Sequence, residues 1–159
     1  MTPELDLDQR LMLKPVSKSI LPNLLEAYNE DPNAAQTALP WLDASSNVQG
    51  QLSDMLFDVE SQAGADELHF WWVCEQETNT FVGLIGLGDE LQLVGSSYNL
   101  GYWVRPSYQR QGIALMAANR IFTWLEQRTI AEQAHHRIEI TVHPHNTAGL
   151  ATATRICEA

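Results

Sequence analysis

The chain has 159 residues, enough for one domain with a sizeable core and short for two. Nine Lys and Arg residues face twenty Asp and Glu residues, which gives a formal net charge of −11. This balance argues against nucleic acid and against an anionic membrane surface as partners, because both attract clustered cations. Residues 1–100 hold three cations and sixteen acids, whereas residues 101–159 hold six arginines and four acids.

Five strands and four helices are predicted from hydrophobic periodicity and turn residues. The predicted strands are Arg10–Lys14, Leu68–Glu75, Phe81–Leu87, Tyr98–Val104 and Arg137–Val142. The predicted helices are Ser17–Tyr28, which is ended by Asp31-Pro32-Asn33, then Val48–Gln62, Gly112–Arg128 and a last helix that starts near Thr147. Residues 38–43 are predicted to form an apolar loop. Short turns favour antiparallel neighbours early in the chain, and the late strand–helix–strand unit favours a right-handed parallel crossover. The expected fold class is therefore α/β, with a mixed, mostly antiparallel central sheet flanked by helices.

Two further patterns concern location and metal binding. The N-terminus is acidic and polar, unlike a signal peptide, and no segment approaches the roughly 18 apolar residues of a membrane span. With two lone cysteines, Cys74 and Cys157, interpreted as reduced thiols, this predicts a cytoplasmic protein. The histidine pairs at 135–136 and 143–145 lie at opposite ends of a predicted strand and are interpreted as loop residues, so no metal site is expected.

The chemically informative segment is 98–114, which predicts a strand, a polar loop and a helix N-terminus. The first amides of that helix have no intrahelical acceptor and carry the positive end of the helix dipole. Gly112 permits a close backbone approach, and Gln109, Arg110 and Gln111 add side-chain donors. Such a loop suits a pyrophosphate, although a glycine there is also compatible with a simple tight turn. The absence of Gly-Lys-Ser/Thr excludes an ordinary P-loop.

This segment resembles a known family. Gln109-Arg-Gln-Gly-Ile-Ala114 is similar to the Q/R-x-x-G-x-G/A acetyl-CoA loop of the GNAT N-acetyltransferases, and Gly101-Tyr-Trp-Val-Arg-Pro106 looks like the RimJ/RimL branch, which acetylates protein N-terminal amines. The element order agrees over nearly the whole chain. The resemblance implies an acetyl-CoA-dependent N-acetyltransferase in which a primary amine, above all a protein N-terminus, attacks the thioester directly. The alternatives are a non-catalytic acyl-CoA-binding module, an enzyme for small polyamines or other amines, and a purely structural interaction domain.

The resemblance also assigns site residues. The pyrophosphate is expected on the backbone of residues 111–114, and the pantetheine arm along β-strand residues 103–104. The implied cofactor-binding residues are Trp103, Val104, Gln109, Arg110, Gln111, Gly112, Ile113, Ala114 and Asn146. The implied catalytic positions are Tyr102, Asn99 and Asn146, and Trp41 and Tyr98 are expected to contact the acceptor.

Three positions depart from the pattern of the family. Asn99 stands where many relatives have a Glu base, Gly149 where the branch often has a Ser, and Ala153 near the usual Tyr acid. An amide cannot act as a general base, so these departures leave the proton transfers unassigned. Tyr98, Tyr102 and Tyr108, together with His143, His145 and Thr147, remain as candidates.

The length and the charge give two last expectations. Relatives usually continue past the last helix with a Gly-Phe turn and two strands. We therefore expect residues 1–159 to form a single domain that is C-terminally incomplete, or one whose exposed sheet edge is covered by a partner chain, as in a homodimer. The acidic first part of the chain suggests a cationic acceptor, such as a basic N-terminus or a small cationic amine.

Overall fold

A computed structural model describes residues 2–39, 41–64, 68–88, 97–132, 137–140 and 147–158. Within them, the side chains of 2–39, 41–64, 68–88, 100–128 and 151–158 are described. The strands are β1 (Leu5–Asp6), β2 (Leu11–Pro15), β3 (His69–Glu75), β4 (Phe81–Gly88), β5 (Ser97–Val104) and β6 (Arg137–Ile140). The helices are α1 (Leu21–Glu30), α2 (Pro32–Ala38), α3 (Val48–Gly64), α4 (Ile113–Glu132) and α5 (Thr147–Glu158), with 3-10 turns at Lys18–Ile20 and Pro106–Tyr108.

The strands pair in chain order, β1-β2-β3-β4-β5-β6, to form one sheet. The pairs from β1 to β5 are antiparallel, and β5 pairs with β6 in parallel. The expected mixed, mostly antiparallel sheet and its parallel crossover are therefore confirmed. β4 and β5 approach closely because residue 83 is a glycine: a Cβ there would collide with the carbonyl oxygen of Trp103.

Helices cover both faces of the sheet, and each face buries its own apolar cluster. Alternate side chains of the strands point to opposite faces, so the neighbours Trp71 and Trp72 are both buried but belong to different clusters. α1, α2 and α3 pack on the face of Trp72 and Trp103. α4 and α5 pack on the face of Trp71. The two layers meet at the open end of β5, where the candidate site lies.

Two elements were not predicted. β1 has two residues, too few to show an alternating pattern. The sequence predicts only that Asp31-Pro32-Asn33 ends the preceding helix, whereas α2 begins there, at Pro32. Asp31 is the N-cap of α2, since its carboxylate accepts a hydrogen bond from the Ala34 amide at 3.2 Å, and proline is favoured in the first helical turn. The expected loop at 38–43 is thus in part a helix end.

Candidate functional site

A groove of about 570 Å³ opens where β5 ends. One wall is the loop after β5 and the start of α4, a second is α2, and a third is α5. The pairing of β5 with β6 runs from Ser97↔Arg137 to Leu100↔Ile140. In the part of the chain that the structure describes, residues 101–104 of β5 pair with β4 but not with β6. The end of β5 therefore lines the groove beyond its last described pair with β6.

The loop before α4 has the backbone shape of an anion site. Gly112 has φ +72° and Arg110 has φ +64°, both in the left-handed region. The Gly112 carbonyl accepts a hydrogen bond from the Met116 amide at 3.0 Å, so the helix starts at Ile113. By helix geometry the amides of the first turn have no intrahelical acceptor, and Ile113 and Ala114 line the groove. Their N–H groups and the helix dipole favour a bound anion.

Two arginines complete this anion site. A Cβ added at Gly112 would have Arg155 Nη2, at 3.9 Å, as its nearest neighbour. The space above Gly112 is therefore open, and the guanidinium of α5 lies over it. Arg110 also lines the groove. Arg155 was not among the predicted site residues, because the sequence offers no local signal that α5 returns to this loop.

Polar contacts hold the loop from two sides. Gln109 Nε2 donates to the Val104 carbonyl at 2.9 Å, which ties the loop back to the end of β5. Arg10, just before β2, donates from Nη2 to Gln111 Oε1 at 3.2 Å, and its Nε lies 3.7 Å from Glu75. The side chains of Gln109 and Gln111 thus stabilise the shape of the loop, whereas the sequence predicts that they add donors for the anion.

An ion-pair network around the buried Arg105 joins the loop to α1. Arg105 is 8% exposed and binds both carboxylates of α1, with Nη2 2.7 Å from Glu26 and Nε 2.8 Å from Glu30. Glu30 also accepts hydrogen bonds from the amide and the hydroxyl of Ser107, at 2.8 and 2.7 Å. The hydrogen bonds that Arg105 donates to Glu26 raise the pKa of Arg105. Burial would raise the pKa of Glu30, but the bonds from Arg105 and Ser107 outweigh it and lower that pKa.

Tyr102 and Trp103 lie side by side on β5 but face different layers. Tyr102 is half-buried on the face of α4 and α5 and lines the groove. Burial, with a smaller contribution from Cys157, raises the pKa of Tyr102 to about 12. The phenol therefore keeps its proton throughout the physiological range. Trp103 is 3% exposed, packs on the face of α1–α3 and also lines the groove.

The wall opposite the loop is formed by α2. Ala34, Thr37 and Ala38 line the groove at helical spacing, and the Thr37 hydroxyl donates to the Asn33 carbonyl at 3.0 Å. These small side chains leave the groove open toward the face of α1–α3. None of them was predicted, because α2 itself was not.

The structure brings most of the predicted site residues together. Those lining the groove are Tyr102, Trp103, Val104, Gln109, Arg110, Gly112, Ile113 and Ala114. Trp41 is 49% exposed and is not among the residues that line the groove. Tyr98 and Asn99 are placed on β5 by their backbone alone. Asn146 and the histidines at 135, 136, 143 and 145 lie outside the described residues.

Among the described residues, no group of three or more His, Cys, Asp and Glu side chains is arranged to hold a metal ion. None of the helices in the described ranges has both the length and the apolar character needed to cross a membrane.

Comparison with known proteins agrees with this geometry. A family model described as an acetyltransferase (GNAT) domain matches residues 10–156. Curated proteins give no significant match. The solved structures that match include a proposed ribosomal-protein-serine acetyltransferase from Vibrio cholerae, which is 25% identical with a TM-score of 0.76. That alignment covers 98% of this chain and 84% of the other.

Two further structures share the fold at lower identity. An acetyl transferase from Salmonella typhimurium that modifies the N-terminal serine of a 50S ribosomal subunit protein is 18% identical, with a TM-score of 0.75 and coverage of 97% and 83%. RimL, a ribosomal alpha-N-protein acetyltransferase solved in complex with coenzyme A, is 18% identical, with a TM-score of 0.76 and coverage of 97% and 82%. Since the family match spans nearly the whole chain and includes the loop at Gly112, the chain belongs to the GNAT acetyltransferases and is an N-acetyltransferase.

Proposed function

We propose that this N-acetyltransferase transfers the acetyl group of acetyl-CoA to the N-terminal amine of a protein, with no covalent enzyme intermediate. The observation that carries the proposal is the groove itself. It joins an anion-binding loop, at α4, to a wall of small side chains, at α2, beside the end of β5. One end of the groove thus suits a nucleotide phosphate and the other suits an acceptor chain.

The anion loop fits the diphosphate of coenzyme A. The open space above Gly112, the first-turn amides of α4 and the guanidinium of Arg155 supply donors and positive potential in one place. The backbone of β5 at residues 103–104, which line the groove, suits the amide groups of the pantetheine arm. When bound there, acetyl-CoA supplies the thioester that is the acetyl donor. Binding in a fixed orientation is itself a large part of the acceleration.

Among the described residues, Tyr102 is the one best suited to donate a proton during the reaction. Its hydroxyl lies on a groove-lining side chain, and its pKa of about 12 keeps it protonated at neutral pH. We assign it the role of proton donor to the departing thiolate. The helix position near which many relatives carry a Tyr is Ala153 here, so the phenol comes from β5 instead of α5.

The acceptor assignment is supported by similarity. The Vibrio cholerae, Salmonella typhimurium and RimL structures are all described as acetyltransferases of ribosomal proteins. The wall formed by α2 is compatible with an extended chain end, because its side chains are small.

Ligand-linked stability tests the cosubstrate. A ligand at 100 times its Kd stabilises a protein by about 2.7 kcal/mol, which corresponds to a rise in Tm of roughly 5–10 °C for a domain of this size. Gly112→Glu places a carboxylate at the phosphate site and should abolish the rise. Gly112→Ala is the matched control. It carries the same left-handed strain, about 1–2 kcal/mol, but its methyl group fits the open space and should leave a rise in Tm.

Acetyl transfer to a peptide library tests the acceptor. Wild-type protein should release coenzyme A with peptides that have a free N-terminus. No rise in Tm at millimolar acetyl-CoA would refute the cosubstrate. A normal rise without acetylation of any peptide or amine would instead identify a non-catalytic acyl-CoA-binding module, the function that Asn99 in place of the usual Glu favours.

A further inference from the structure

One turn near the end of α5 connects the anion loop to the proposed proton donor. Arg155 lines the groove, and its Nη2 lies 3.9 Å from the position that a Cβ added to Gly112 would take. The next residue, Ile156, is 5% exposed and belongs to the apolar cluster against which Tyr102 packs. Burial is the larger cause of the raised pKa of Tyr102 and Cys157 is the smaller one, so Cys157 lies near the phenol.

Arg155 is available to a ligand. Its side chain is exposed, and it has no ion pair or hydrogen bond with the residues that the structure describes. Among those residues, Arg110 is the other charged side chain that lines the groove, and it belongs to the loop itself. An anion bound by Arg110 alone would fix only the loop. An anion bound by Arg155 would also fix α5, because Arg155 is part of that helix.

The diphosphate of acetyl-CoA has the chemistry to join the two helices. In the open space above Gly112 it would lie within reach of the first-turn amides of α4 and of the Arg155 guanidinium. A guanidinium binds phosphate oxygens through charge-assisted hydrogen bonds that are often bidentate. A bound diphosphate would therefore connect the start of α4 to the last turns of α5.

We propose that the diphosphate, held by Arg155, fixes α5 and thereby positions Tyr102 for proton donation to the departing thiolate. This inference rests on the function proposed above, and it makes Arg155 a positioning residue as well as a ligand of the cosubstrate. Binding energy from the nucleotide part is then used in the transition state, so a donor without phosphates should lose kcat as well as affinity.

The kinetic test divides the acetyl donor into two pieces. Acetyl-pantetheine carries the thioester but ends where the diphosphate begins, and inorganic pyrophosphate supplies the missing anion. Arg155→Gln removes the guanidinium from α5. Arg120→Gln is the matched control, because Arg120 lies on α4, does not line the groove and has no ion pair with the described residues. Both variants should keep a Tm within about 2 °C of wild type.

In wild type and Arg120→Gln, pyrophosphate should raise the rate of acetyl transfer from acetyl-pantetheine to an acceptor peptide by about tenfold. In Arg155→Gln the rate should be the same with and without pyrophosphate. At saturating acetyl-CoA, kcat of Arg155→Gln should fall by about tenfold. A higher KM with an unchanged kcat would make Arg155 a simple ligand and overturn the inference. Activation by pyrophosphate that is absent in wild type, or that persists in Arg155→Gln, also overturns it.

A spectroscopic measurement distinguishes this inference from the proposed function, because it needs no turnover. In protein labelled with fluorotyrosine, the 19F resonance of Tyr102, identified by its loss in Tyr102→Phe, should shift when pyrophosphate saturates the wild type. In Arg155→Gln it should stay in place, at a pyrophosphate concentration chosen by calorimetric titration of that variant. Wild type that binds acetyl-CoA but acetylates no amine refutes the proposed function. Acetyl transfer by a wild type whose Tyr102 resonance ignores pyrophosphate refutes the positioning role of Arg155.

Discussion

Replacing Arg105 should weaken both the fold and the binding of acetyl-CoA. The guanidinium has hydrogen bonds to Glu26 and Glu30, and a longer one of 3.3 Å to the Phe81 carbonyl. Its side chain is 10% exposed, while that of Glu30 is 25% and that of Glu26 is 62% exposed. Arg105→Gln would leave Ser107 as the remaining hydrogen-bond partner of Glu30. It would also weaken the hydrogen bond to the Phe81 carbonyl.

The magnitude follows from burial. A hydrogen bond to a charged group contributes about 1.5–3 kcal/mol, and the exposed Glu26 must be counted at much less than that because solvent screens it. We expect a loss of about 2–4 kcal/mol for Arg105→Gln. For a domain of this length that corresponds to a fall in Tm of roughly 5–15 °C.

The effect on binding is indirect. Glu30 holds both the amide and the hydroxyl of Ser107, one turn before the anion loop, and Arg105 holds Glu30. Loss of Arg105 should therefore loosen the entry to the loop and raise the Kd of acetyl-CoA, by about three- to tenfold, a cost of about 1 kcal/mol in positioning. Arg105→Lys keeps the charge but loses the planar guanidinium, so its Kd for acetyl-CoA should lie between those of wild type and Arg105→Gln.

The assay pairs thermal unfolding with calorimetric titration of acetyl-CoA at a temperature where every variant is folded. Arg120→Gln is the matched control, because Arg120 has no ion pair or side-chain hydrogen bond with the residues that the structure describes. A Tm for Arg105→Gln within 1 °C of that control, on the scale of roughly 2–4 °C per kcal/mol, would refute the energetic argument. A large loss of Tm with an unchanged Kd would refute the link from α1 to the loop.

Two further predictions concern single groups. Tyr102→Phe should lower kcat about 10²-fold with little change in the KM of acetyl-CoA, because the phenol is the proposed proton donor. The control is Tyr28→Phe, which removes from α1 a hydroxyl that accepts a hydrogen bond from Gln36 of α2. This variant should keep wild-type kcat, and equal effects of the two substitutions on steady-state rates would contradict the assignment. Because Glu30 has a pKa below its ordinary 4.5 in the folded protein, its contribution is present above that pH and is lost as pH falls through the folded pKa. Urea unfolding should thus show Glu30→Gln less stable than wild type at pH 7, by a difference that shrinks as the pH falls below 4.5; a constant difference would exclude this linkage.

Local patterns in the sequence predicted most of the fold. Strands β2 to β6 and helices α3, α4 and α5 appear within a few residues of their predicted bounds, because each is long enough to show a period and is bounded by turn residues. The segment from Asp31 to Asn33 shows the limit of such patterns. Asp followed by Pro can end one helix and begin the next. The sequence pattern was interpreted only as the end of α1, so α2 was missed.

The site was predicted where it is local and missed where it depends on distant contacts. The strand, loop and helix start of residues 98–114 are contiguous, so the anion loop could be inferred from Gly112 and its neighbours. Arg10 and Gln111 are 101 residues apart, and Arg105 and Glu30 are 75 apart. No spacing rule connects such pairs in a single sequence. Arg155 and the wall of α2 also reach the groove through long-range contacts, because the helices pack on the sheet. They could not be predicted for the same reason.

The uneven charge along the chain has a different meaning in three dimensions. The acidic first part suggested a cationic acceptor, yet the charged side chains among the described residues that line the groove are Arg110 and Arg155. Two of the acids of the first part, Glu26 and Glu30, are paired with Arg105 from the second part. Part of the charge asymmetry is therefore neutralised within the molecule, where these ion pairs join α1 to the strand that leads into the anion loop. The net charge of the first part is therefore not by itself evidence for a cationic acceptor.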